Sequence, residues 1–456
     1  MATISRVLVA NRGEIAVRII KACQKLGIET VLAMSDADRD TLAARMADRA
    51  VCIGPAQPLE SYLKVNTIIM TALSTGADAI HPGYGFLAEQ PELGEACAKN
   101  GVIFIGPKPD TIRGMGDKLV ARKTAISLGI PVIPGSALIA DLAQGWSEAE
   151  KIGFPILLKA AAGGGGKGMK AVYKPEEMET VFMEASAEAR AAFGDDRLFA
   201  ERFIPNARHI EVQILSDGSG NCIHLFERDC SLQRRYQKVI EEAPSIAVSN
   251  GLRKQMCEAA IHIAKSIGYE NAGTVEFVLD QDEKCFYFLE MNTRIQVEHP
   301  VTEMVADVDL VAEQIRMAAG ERLQFNQDRI QVTGHAIECR INAECPDDNF
   351  RPSPGRIRKW EVPRGEGIRV DTHCFEGYFV PPYYDSLLAK LIVIGKDREE
   401  AITKMAQALA NFHVAGIDTN IEFLSAIVVH PHFKSGQTNT RWLETIICNK
   451  ENATHE

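Results

Sequence analysis

A long alternation of polar and mostly apolar residues, from Phe288 to Glu303, constrains the fold more than any other stretch of this chain. Its polar side chains fall at every second position: Glu290, Asn292, Arg294, Gln296 and Glu298. Successive side chains of an extended backbone point to opposite faces, so the alternation predicts a strand with one polar and one apolar face. A solvated face and a functional face both explain this pattern, and the alternation alone leaves both open.

The segment just before this stretch predicts a β-hairpin. Residues Gly273–Asp280 have the composition of a strand, and three polar residues join them to a second strand at 284–292. A hairpin closing there places Glu276 opposite Phe288 or Glu290. Carboxylates on one face repel each other unless a cation lies between them, and carboxylate and amide oxygens suit Mg²⁺ or Mn²⁺. The hairpin therefore predicts a metal site that continues into a cationic pocket.

The composition is that of a globular protein without a nucleic-acid partner. At 456 residues, the chain is long enough for about two to four domains or subdomains. Its net charge of −11 argues against binding to a phosphate backbone, although basic pockets can lie within an acidic total. The eleven cysteines include no CxxC pair, which favours reduced thiols in a cytoplasmic protein. The sequence shows no leader and no apolar run of membrane-spanning length, so we expect no contact with a membrane.

The N-terminal third alternates strand-like and helix-like segments. A buried strand at Val7–Ala10 leads into a short turn and then into a helix with apolar residues on one face. The alternation continues through several further strands and predicts an open parallel sheet. The first turn lacks a GxGxxG sequence, which argues against a dinucleotide site there. Residues His81–Glu89 place two glycines around an aromatic residue at a strand end, where a structural turn is the simpler interpretation and a ligand loop the alternative.

A glycine-rich loop predicts contact with phosphate. A strand ending in Lys159 is connected by Gly163–Gly166 and Gly168 to a second strand, Met169–Tyr173. Backbone amides of consecutive glycines can approach phosphate oxygens, and Lys159 and Lys167 add positive charge beside them. A Walker loop is excluded because no GK[ST] opens a helix after the glycines, whereas a flexible hairpin has the same composition. We favour the phosphate-binding interpretation.

Three further polar features have two interpretations each. Lys118, at the start of a helix near Asp117, faces either solvent or a ligand. The charged segment 228–238 is either a solvated loop or the basic rim of a site for an anionic substrate. Arg340 lies within an otherwise apolar strand, where it either forms a structural ion pair or is directed into a pocket.

Nine motifs, found in one order along nearly the whole chain, give it a close resemblance to a known family. They are VANRGEIAVRII, HPGYGFLAE, MGDK, LLKAAAGGGGKGM, ERDCSLQRR with QKVIEEAP, GTVEFV, FLEMNTRIQVEHPVTE, GHAIECRINAE and PPYYDSLLAKL. On these motifs the sequence resembles the biotin carboxylase subunits of the ATP-grasp superfamily. The resemblance implies an α/β and α+β chain with a Rossmann-like N-terminal domain, an ATP-grasp domain with a lid, and a β-rich C-terminal domain. The implied boundaries are 1–115, 116–330 with the lid at about 133–204, 331–448, and a polar tail at 449–456.

The resemblance also implies site residues. Those implied for ATP are Lys118, Lys159, Gly163, Gly164, Gly165, Gly166, Glu201, Arg202, Ile204, His209, Gln233, Tyr236, Glu276 and Glu290. Those implied for two Mg²⁺ or Mn²⁺ ions are Glu276, Glu290 and Asn292. Those implied for bicarbonate are Lys238, Arg294, Gln296, Val297 and Glu298. Those implied for biotin are Tyr84 and Arg340, and the implied catalytic residues are Lys238, Arg294, Glu298 and Arg340.

The implied reaction is the ATP-dependent carboxylation of biotin with bicarbonate through carboxyphosphate. Glu298 would take the proton of bicarbonate while Lys238 and Arg294 hold the anion. Carboxyphosphate would then release CO₂ and phosphate, the phosphate would remove the ureido proton of biotin, and Arg340 would stabilise the enolate. The glycine loop would exclude water, which otherwise hydrolyses the intermediate.

The expected partners follow from the same resemblance. No Ala-Met-Lys-Met turn occurs in the sequence, so we expect biotin to be a substrate carried by a separate biotin carboxyl carrier protein. A carboxyltransferase would use the product, and the family's usual homodimer is carried over as an expectation. The final carboxyl acceptor, whether acetyl-CoA, another acyl-CoA or pyruvate, is not specified by this chain.

Two positions depart from the family pattern. Tyr236 stands where the family usually has His, and Arg202 stands where Lys is common. Tyrosine keeps a hydroxyl but cannot carry the charge of an imidazole, so nucleotide contacts at that end can differ. The alternative functions are another ATP-grasp ligase that forms an acyl phosphate, and a non-catalytic nucleotide-binding subunit. The intact RIQVEH sequence and Arg340 favour biotin carboxylation over both.

Overall fold

A parallel sheet forms the N-terminal domain of the computed structural model, which describes residues 3–161 and 168–447. Its elements are β1 (Arg6–Val9), α1 (Gly13–Leu26), β2 (Glu29–Met34), α2 (Leu42–Met46), β3 (Arg49–Cys52), α3 (Val65–Thr75), β4 (Ala79–His81), α4 (Pro91–Lys99), β5 (Ile103–Phe104) and α5 (Pro109–Gly116). Within the described residues its strands lie in the order β3-β2-β1-β4-β5, and all neighbours are parallel. The open parallel sheet expected from the sequence is confirmed.

Helix α1 packs on this sheet, and its residues 13–20 are buried on every face of the helix. Ile15, Ile19 and Ala22 are each at most 1% exposed, which confirms the face that the sequence predicts. Gly27 ends the helix at φ 72°, in the left-handed region, which a residue without a side chain adopts easily. Its backbone N–H caps the helix by donating to carbonyl oxygens of the last turn. The helix begins directly after β1, so its first turn lies at the carboxyl edge of the sheet, where α/β proteins bind ligands.

The central part of the chain contains a small lid sheet and a set of long strands. Its elements are α6 (Lys118–Ser127), α7 (Leu142–Ile152), β6 (Ile156–Ala160), β7 (Met169–Val172), α8 (Met178–Phe193), β8 (Leu198–Arg202), β9 (Ala207–Ser216), β10 (Cys222–Arg234), β11 (Gln237–Ala243), α9 (Asn250–Ser266), β12 (Asn271–Asp280), β13 (Cys285–Asn292), α10 (His299–Ala306) and α11 (Leu310–Ala318). In the described part of the lid, the antiparallel strands lie in the order β7-β6-β8, and α7 and α8 pack on them around a separate apolar core.

The C-terminal part is rich in strands. Its elements are β14 (His335–Asn342), β15 (Glu344–Cys345), β16 (Arg351–Pro352), β17 (Gly355–Arg356), β18 (Lys359–Glu361), β19 (Ile368–Thr372), β20 (Phe379–Val380), β21 (Leu387–Gly395), α12 (Arg398–Ala410), β22 (His413–Ala415), α13 (Ile421–Val429) and α14 (Pro431–Ser435). Helix α12 covers β14 and β21 and closes the second large apolar core.

A single antiparallel sheet joins the central and C-terminal parts. Over the residues that the structure describes, its strands lie in the order β13-β12-β9-β10-β11-β14-β21-β19. The joint is the pairing of β11 with β14, in which Glu241 lies opposite Glu338. Side chains from both parts of the chain therefore project from one continuous surface.

The alternating stretch is only partly a strand, so that prediction is wrong beyond Asn292. Strand β13 ends there, paired with Thr274, and residues 293–298 form an irregular segment that leads into α10. Residues of both parities are buried in this segment, including Ile295 at 0%, Gln296 at 3% and Glu298 at 2% exposure. The polar side chains are buried because they find charged partners inside the protein.

The segment 228–238 is not a solvated loop. It forms the end of β10, a two-residue turn and the start of β11, and Arg228 is fully buried. The solvated-loop interpretation is therefore wrong, and the alternative, the basic rim of a site for an anionic substrate, stays a prediction. No helix in the described ranges is long and apolar enough to cross a bilayer.

Candidate active site

One row of charged side chains crosses four strands of the large sheet. Glu276 on β12 lies opposite Glu290 on β13, which confirms the register expected of the hairpin. On its other side Glu276 lies opposite Glu211 on β9, and Glu211 lies opposite Arg228 on β10. Directly opposed residues project from the same face of a sheet. We call these four residues, Glu290, Glu276, Glu211 and Arg228, the charged row.

Lys238, on β11, reaches over the charged row and contacts three carboxylates. Its Nζ donates to Glu211 Oε2 at 2.6 Å, to Glu276 Oε1 at 3.2 Å and to Glu298 Oε1 at 2.5 Å. Burial alone would lower the pKa of this lysine, but the three carboxylates more than offset that effect and raise its pKa well above the ordinary value. Lys238 is therefore a permanent cation.

Glu298 lies between two cations at the end of the irregular segment. Besides its contact with Lys238, its Oε2 accepts a hydrogen bond from Arg340 Nη2 at 2.8 Å. Burial would raise the pKa of Glu298, but Lys238, Arg340 and Arg228 outweigh burial and hold the pKa well below its usual range. Glu298 is therefore an ionised carboxylate in an otherwise buried setting.

Arg340 forms ion pairs within this cluster, as the first of its two interpretations expects, and the second, a side chain directed into a pocket, stays a prediction. In addition to Glu298, Arg340 donates from Nε to Glu241 Oε1 at 2.6 Å. Burial raises the pKa of Glu241 to about 7, although Arg340 acts in the opposite direction. At neutral pH Arg340 thus faces one fully ionised carboxylate and one that titrates.

Arg228 donates hydrogen bonds to five side chains next to the cluster. It donates from Nε to Glu211 Oε1 at 2.5 Å, from Nη1 to Gln213 Oε1 at 2.8 Å and from Nη2 to Gln296 Oε1 at 2.8 Å. It also donates to the hydroxyls of Thr302, at 3.0 Å, and Thr274, at 3.2 Å. The planar guanidinium therefore ties β9, β10, β12 and the irregular segment together.

Glu276 is the residue on which the implied metal ligands converge. Its Oε1 accepts from Asn292 Nδ2 at 2.8 Å and from Gln296 Nε2 at 2.7 Å, and its Oε2 lies 3.0 Å from His209 Nε2. Burial would raise the pKa of Glu276, but Lys238 and His209 outweigh it and hold the pKa below its usual range. This carboxylate is ionised, and protein groups contact both of its oxygens.

The oxygen atoms around Glu276 fit a hard divalent cation. Glu276 and Glu290 oppose each other, and Asn292 follows Glu290 on the same face of β13. Lys118 Nζ lies 3.5 Å from Glu290 Oε2, so this lysine is directed toward the site. Among the described residues, His209, Glu211 and Glu276 offer ligand atoms that lie within 4.8 Å of one another, and this group shares Glu276 with the implied metal ligands.

The residues implied for the adenine end lie near the lid sheet. Lys159 on β6 forms an ion pair with Glu201 on β8, and Arg122 on α6 also contacts Glu201, at 3.1 Å. Arg202 donates to the hydroxyl of Tyr287 at 2.7 Å and lies 3.3 Å from Asp280. Arg122 was not identified from the sequence, because nothing in its helical context distinguishes it from a surface arginine.

The remaining nucleotide-side residues differ in exposure. Ile204 and Gln233 are buried, whereas Tyr236 is 52% exposed in the turn between β10 and β11. Tyr236 has φ 64°, so it occupies the left-handed region that is uncommon for a residue with a side chain. The glycines Gly163–Gly166 and Lys167 lie outside the described residues.

Arg294 and Val297 are held by groups outside the cluster. Arg294 donates from Nε to Glu89 Oε2 at 2.7 Å and from Nη2 to Asn292 Oδ1 at 3.1 Å. The carbonyl oxygen of Val297 accepts a hydrogen bond from Lys390 Nζ at 2.8 Å. The irregular segment is therefore fixed by the N-terminal domain on one side and by β21 on the other.

Tyr84 belongs to a buried group behind the cluster. Its hydroxyl contacts Glu14 Oε1 in the first turn of α1, and Lys390 Nζ lies 3.1 Å from the same oxygen. Lys390 is fully buried. Burial raises the pKa of Glu14, and Lys390 offsets part of that rise.

Besides Arg122, the sequence analysis did not identify the charged residues Glu14, Glu211, Glu241 and Lys390. Glu14, Glu211 and Lys390 are charged residues next to apolar ones in a strand or helix, as Arg340 is, whereas Glu241 lies next to Glu242 and gives no such signal. That signal shows burial with a partner, but it does not show which partner.

Sequence profiles of three domains match this chain in order. They are the biotin carboxylase N-terminal domain at residues 3–112, the ATP-binding domain of the carbamoyl-phosphate synthase L chain at 117–326, and the biotin carboxylase C-terminal domain at 338–445. Biotin carboxylase 1 of Bacillus subtilis is 51% identical over 443 residues, which cover 97% of this chain and 98% of that protein. The biotin carboxylase of a Nostoc species is 51% identical over 440 residues, which cover 96% of this chain and 98% of that protein.

Solved structures are similar over the same length. The biotin carboxylase domain dimer of the Hydrogenobacter thermophilus 2-oxoglutarate carboxylase, in complex with MgADP, ADP and bicarbonate, has a TM-score of 0.94 and 46% identity, covering 98% of each chain. A Campylobacter jejuni biotin carboxylase in a β-γ-ATP complex has a TM-score of 0.94 and 45% identity, covering 97% of this chain and 99% of that one. The fold and the charged site define an ATP-grasp ligase. The chain belongs to the biotin carboxylase family.

Proposed function

We propose that the cluster of Lys238, Glu298 and Arg340 is where bicarbonate and biotin react in the ATP-dependent carboxylation of biotin, the activity of this family. The observation that carries the proposal is the ionised carboxylate of Glu298 held between two cations. A base for bicarbonate must be unprotonated at neutral pH and must lie beside positive charge that can hold the anion. Glu298 meets both requirements.

The first step would be proton removal from bicarbonate. Without a bound anion, Lys238 and Arg340 both contact Glu298 and lower its basicity. An incoming anion that takes over their donors would restore that basicity, because the two cations would then be shared with the substrate. The deprotonated bicarbonate oxygen would attack the γ-phosphorus of ATP, giving ADP and carboxyphosphate while the proton remains on Glu298.

The second step would be transfer to biotin. Carboxyphosphate would break down to CO₂ and phosphate, the phosphate would accept the ureido N–H proton, and the nitrogen would attack CO₂. Arg340 lies beside Glu298 and would stabilise the negative charge on the ureido oxygen. Tyr84, in the buried group with Glu14 and Lys390, supports the biotin side of the site.

The nucleotide would be held along the charged row and under the lid. Glu276, Glu290 and Asn292 would hold Mg²⁺ or Mn²⁺, because their oxygens project from one face of the hairpin, and such ions neutralise charge on the transferred phosphoryl group. Lys118, beside Glu290, would contact the phosphates. Further contacts with ATP would come from Lys159, Glu201, Arg202, Ile204, His209, Gln233 and Tyr236.

Partners are inferred from the kind of substrate and from the relatives. We infer that biotin arrives on a separate biotin carboxyl carrier protein and that a carboxyltransferase uses the carboxybiotin. The dimer named for the Hydrogenobacter domain supports a homodimer here. The free thiols of the ten cysteines in the described ranges support a cytoplasmic location.

The deciding experiment measures ATP cleavage by the isolated chain. We expect cleavage to depend on bicarbonate, to be stimulated by free biotin or a biotinylated carrier, and to yield carboxybiotin. Bicarbonate-dependent cleavage with no biotin stimulation and no carboxybiotin would instead support a different ATP-grasp ligase. Nucleotide binding without any cleavage would support a non-catalytic role.

A further inference from the structure

Glu89 joins the N-terminal domain to the irregular segment that carries the bicarbonate residues. It lies between β4 and α4, at the end of the HPGYGFLAE motif. Its Oε2 accepts from Arg294 Nε at 2.7 Å, and its Oε1 accepts from the backbone N–H of Thr293 at 3.2 Å. Both oxygens of one carboxylate are therefore engaged by consecutive residues of the segment.

These contacts fix the orientation of the Arg294 guanidinium. Nη2 donates to Asn292 Oδ1 and Nη1 donates to the carbonyl of Ile295, each at 3.1 Å. A guanidinium has five N–H donors in a rigid plane, so three oriented bonds leave two N–H groups in a defined direction. Without Glu89, the two remaining bonds would still hold the distal nitrogens, but the side-chain stem would lose its fixed point.

The same contacts connect Glu89 to the metal end of the site. Arg294 donates to Asn292 Oδ1, and Asn292 Nδ2 in turn donates to Glu276 Oε1 at 2.8 Å. A line of hydrogen bonds thus runs from the N-terminal domain through the bicarbonate side to the charged row. The line passes Thr293, at the point where phosphate and bicarbonate would meet.

We propose that Glu89 is a positioning residue for bicarbonate, which holds Arg294 and the backbone of Thr293 so that the free N–H groups of Arg294 face the anion. The inference rests on the proposed function, because it assigns Glu89 to the bicarbonate step of that reaction. In this proposal Glu89 acts on bicarbonate through its contacts with Arg294 and Thr293.

A simple structural role and an electrostatic role predict different outcomes. The side chain of Glu89 is 39% exposed, and half-exposed ion pairs contribute little to global stability. A negative charge near an anion site also repels the anion, so removing that charge alone would tighten bicarbonate binding. Positioning predicts the opposite, because a misdirected Arg294 binds bicarbonate less well.

The test compares Glu89→Gln and Glu89→Ala with the wild type and with Glu92→Gln, an exposed glutamate on the neighbouring helix. The measurements are KM for bicarbonate, KM for ATP and kcat of biotin-stimulated ATP cleavage, together with Tm. We expect Glu89→Ala to raise the KM for bicarbonate by about tenfold or more, with Glu89→Gln in between because it retains one acceptor. The KM for ATP should stay within about twofold, and Glu92→Gln should match the wild type in every measurement.

An unchanged or lower KM for bicarbonate in Glu89→Ala overturns the inference, as does an equal rise of both KM values. A double variant with Arg294→Lys gives a second check, since Glu89→Ala should add little once Arg294 is already changed. Additive effects would show that Glu89 acts independently of Arg294 and would also overturn the inference. A wild type that shows no bicarbonate-dependent cleavage contradicts the proposed function instead.

Discussion

Glu298 combines burial with a low pKa, a combination that requires close cations. Only 2% of the residue is exposed, yet Lys238 and Arg340 both contact it, through different oxygens. The same two cations are the groups that an incoming anion would bind. The chemistry of the base and the binding of the substrate are therefore linked at this one carboxylate.

Substitution of this base should abolish turnover while sparing the nucleotide site. Glu298→Gln retains a carbonyl acceptor for Lys238 or Arg340 but cannot take a proton. We expect kcat for carboxylation to fall by about 10²- to 10⁴-fold, as is usual when a general base is lost. The Kd for ATP, measured by calorimetry, should change little. Glu283→Gln, in the exposed turn of the β12–β13 hairpin, is the control, and normal carboxylation by Glu298→Gln would contradict the role.

Glu338 is a second buried carboxyl group, and its pKa is shifted in the opposite direction from that of Glu298. It is fully buried on β14, and among the described residues neither of its carboxylate oxygens has a hydrogen-bond partner. Burial raises its pKa well above the ordinary value of 4.5, although Lys390 acts in the opposite direction. Its direct neighbour on β11, Glu241, has a pKa raised to about 7 by burial. These two carboxyl groups therefore take up protons when the chain folds.

This uptake makes stability depend on pH. For a group whose pKa is raised by folding, the stabilising contribution is complete below the unfolded pKa and is lost as pH rises through the folded pKa. Glu338→Gln removes that titration, so its Tm relative to the wild type should increase by about 2 °C or more as the pH rises above 4.5, the ordinary pKa of the group. Thermal unfolding followed by circular dichroism checks this, with the exposed Glu366→Gln as control. Parallel pH profiles for wild type and Glu338→Gln would contradict the prediction.

At the scale of single elements, β10 carries the most demanding side chain. Arg228 is fully buried and donates to groups on β9, on β12, in the irregular segment and on α10. Removing one partner of a buried ion pair leaves the other charge uncompensated. The strand can therefore pack against its neighbours only with this arginine in place.

Arg228→Ala should be strongly destabilising. We expect the free energy of unfolding to fall by about 3–5 kcal/mol, because Glu211 would keep a buried charge with only Lys238 and His209 nearby. Arg235→Ala, in the exposed turn of the same hairpin, should change stability little. Urea unfolding of both variants measures the difference, and equal midpoints would show that the buried network is not stabilising.

The sequence predicts the pairing of strands that are close in sequence better than the pairing of strands that are far apart. The β12–β13 hairpin, with Glu276 opposite Glu290, is predictable because a short turn fixes its register. The pairing of Glu276 with Glu211 joins strands far apart in sequence, and no local pattern specifies it. The period-two pattern beyond Asn292 misled for a related reason. Its polar residues alternate without being a strand, since partners from other elements hold each one in place.

At the scale of the whole molecule, the site is assembled from all three parts of the chain. Glu14 and Glu89 come from the N-terminal domain, Lys238 and Glu298 from the central part, and Arg340 from the C-terminal part. The family resemblance predicted that Lys238, Glu298 and Arg340 belong to one site. The periodicity of the sequence did not relate them. The pairing of Glu241 with Arg340 needed the structure, because it depends on the joint between β11 and β14, and the pairing of Lys390 with Glu14 needed it because β21 and α1 are far apart in sequence.

A chain truncated at residue 330 should not be a stable fragment. It would lack Arg340 and Lys390 and would leave β11 as an open strand edge in place of its pairing with β14. Exposed edges pair with other chains, so we expect the fragment to aggregate, as measured by light scattering after expression. The full chain under the same conditions is the control. A soluble, monomeric fragment with native circular dichroism would show that the two halves of the sheet fold independently.

The contacts of Lys238 give the resting protein an unusual property. Three carboxylates surround the ammonium group of Lys238, which is one of the groups proposed to bind bicarbonate. A substrate anion would therefore have to displace these carboxylates from Lys238, and the displacement would free Glu298 from that contact. In the proposed function, the protein's own carboxylates therefore compete with bicarbonate for Lys238, which would limit cleavage of ATP until bicarbonate is present.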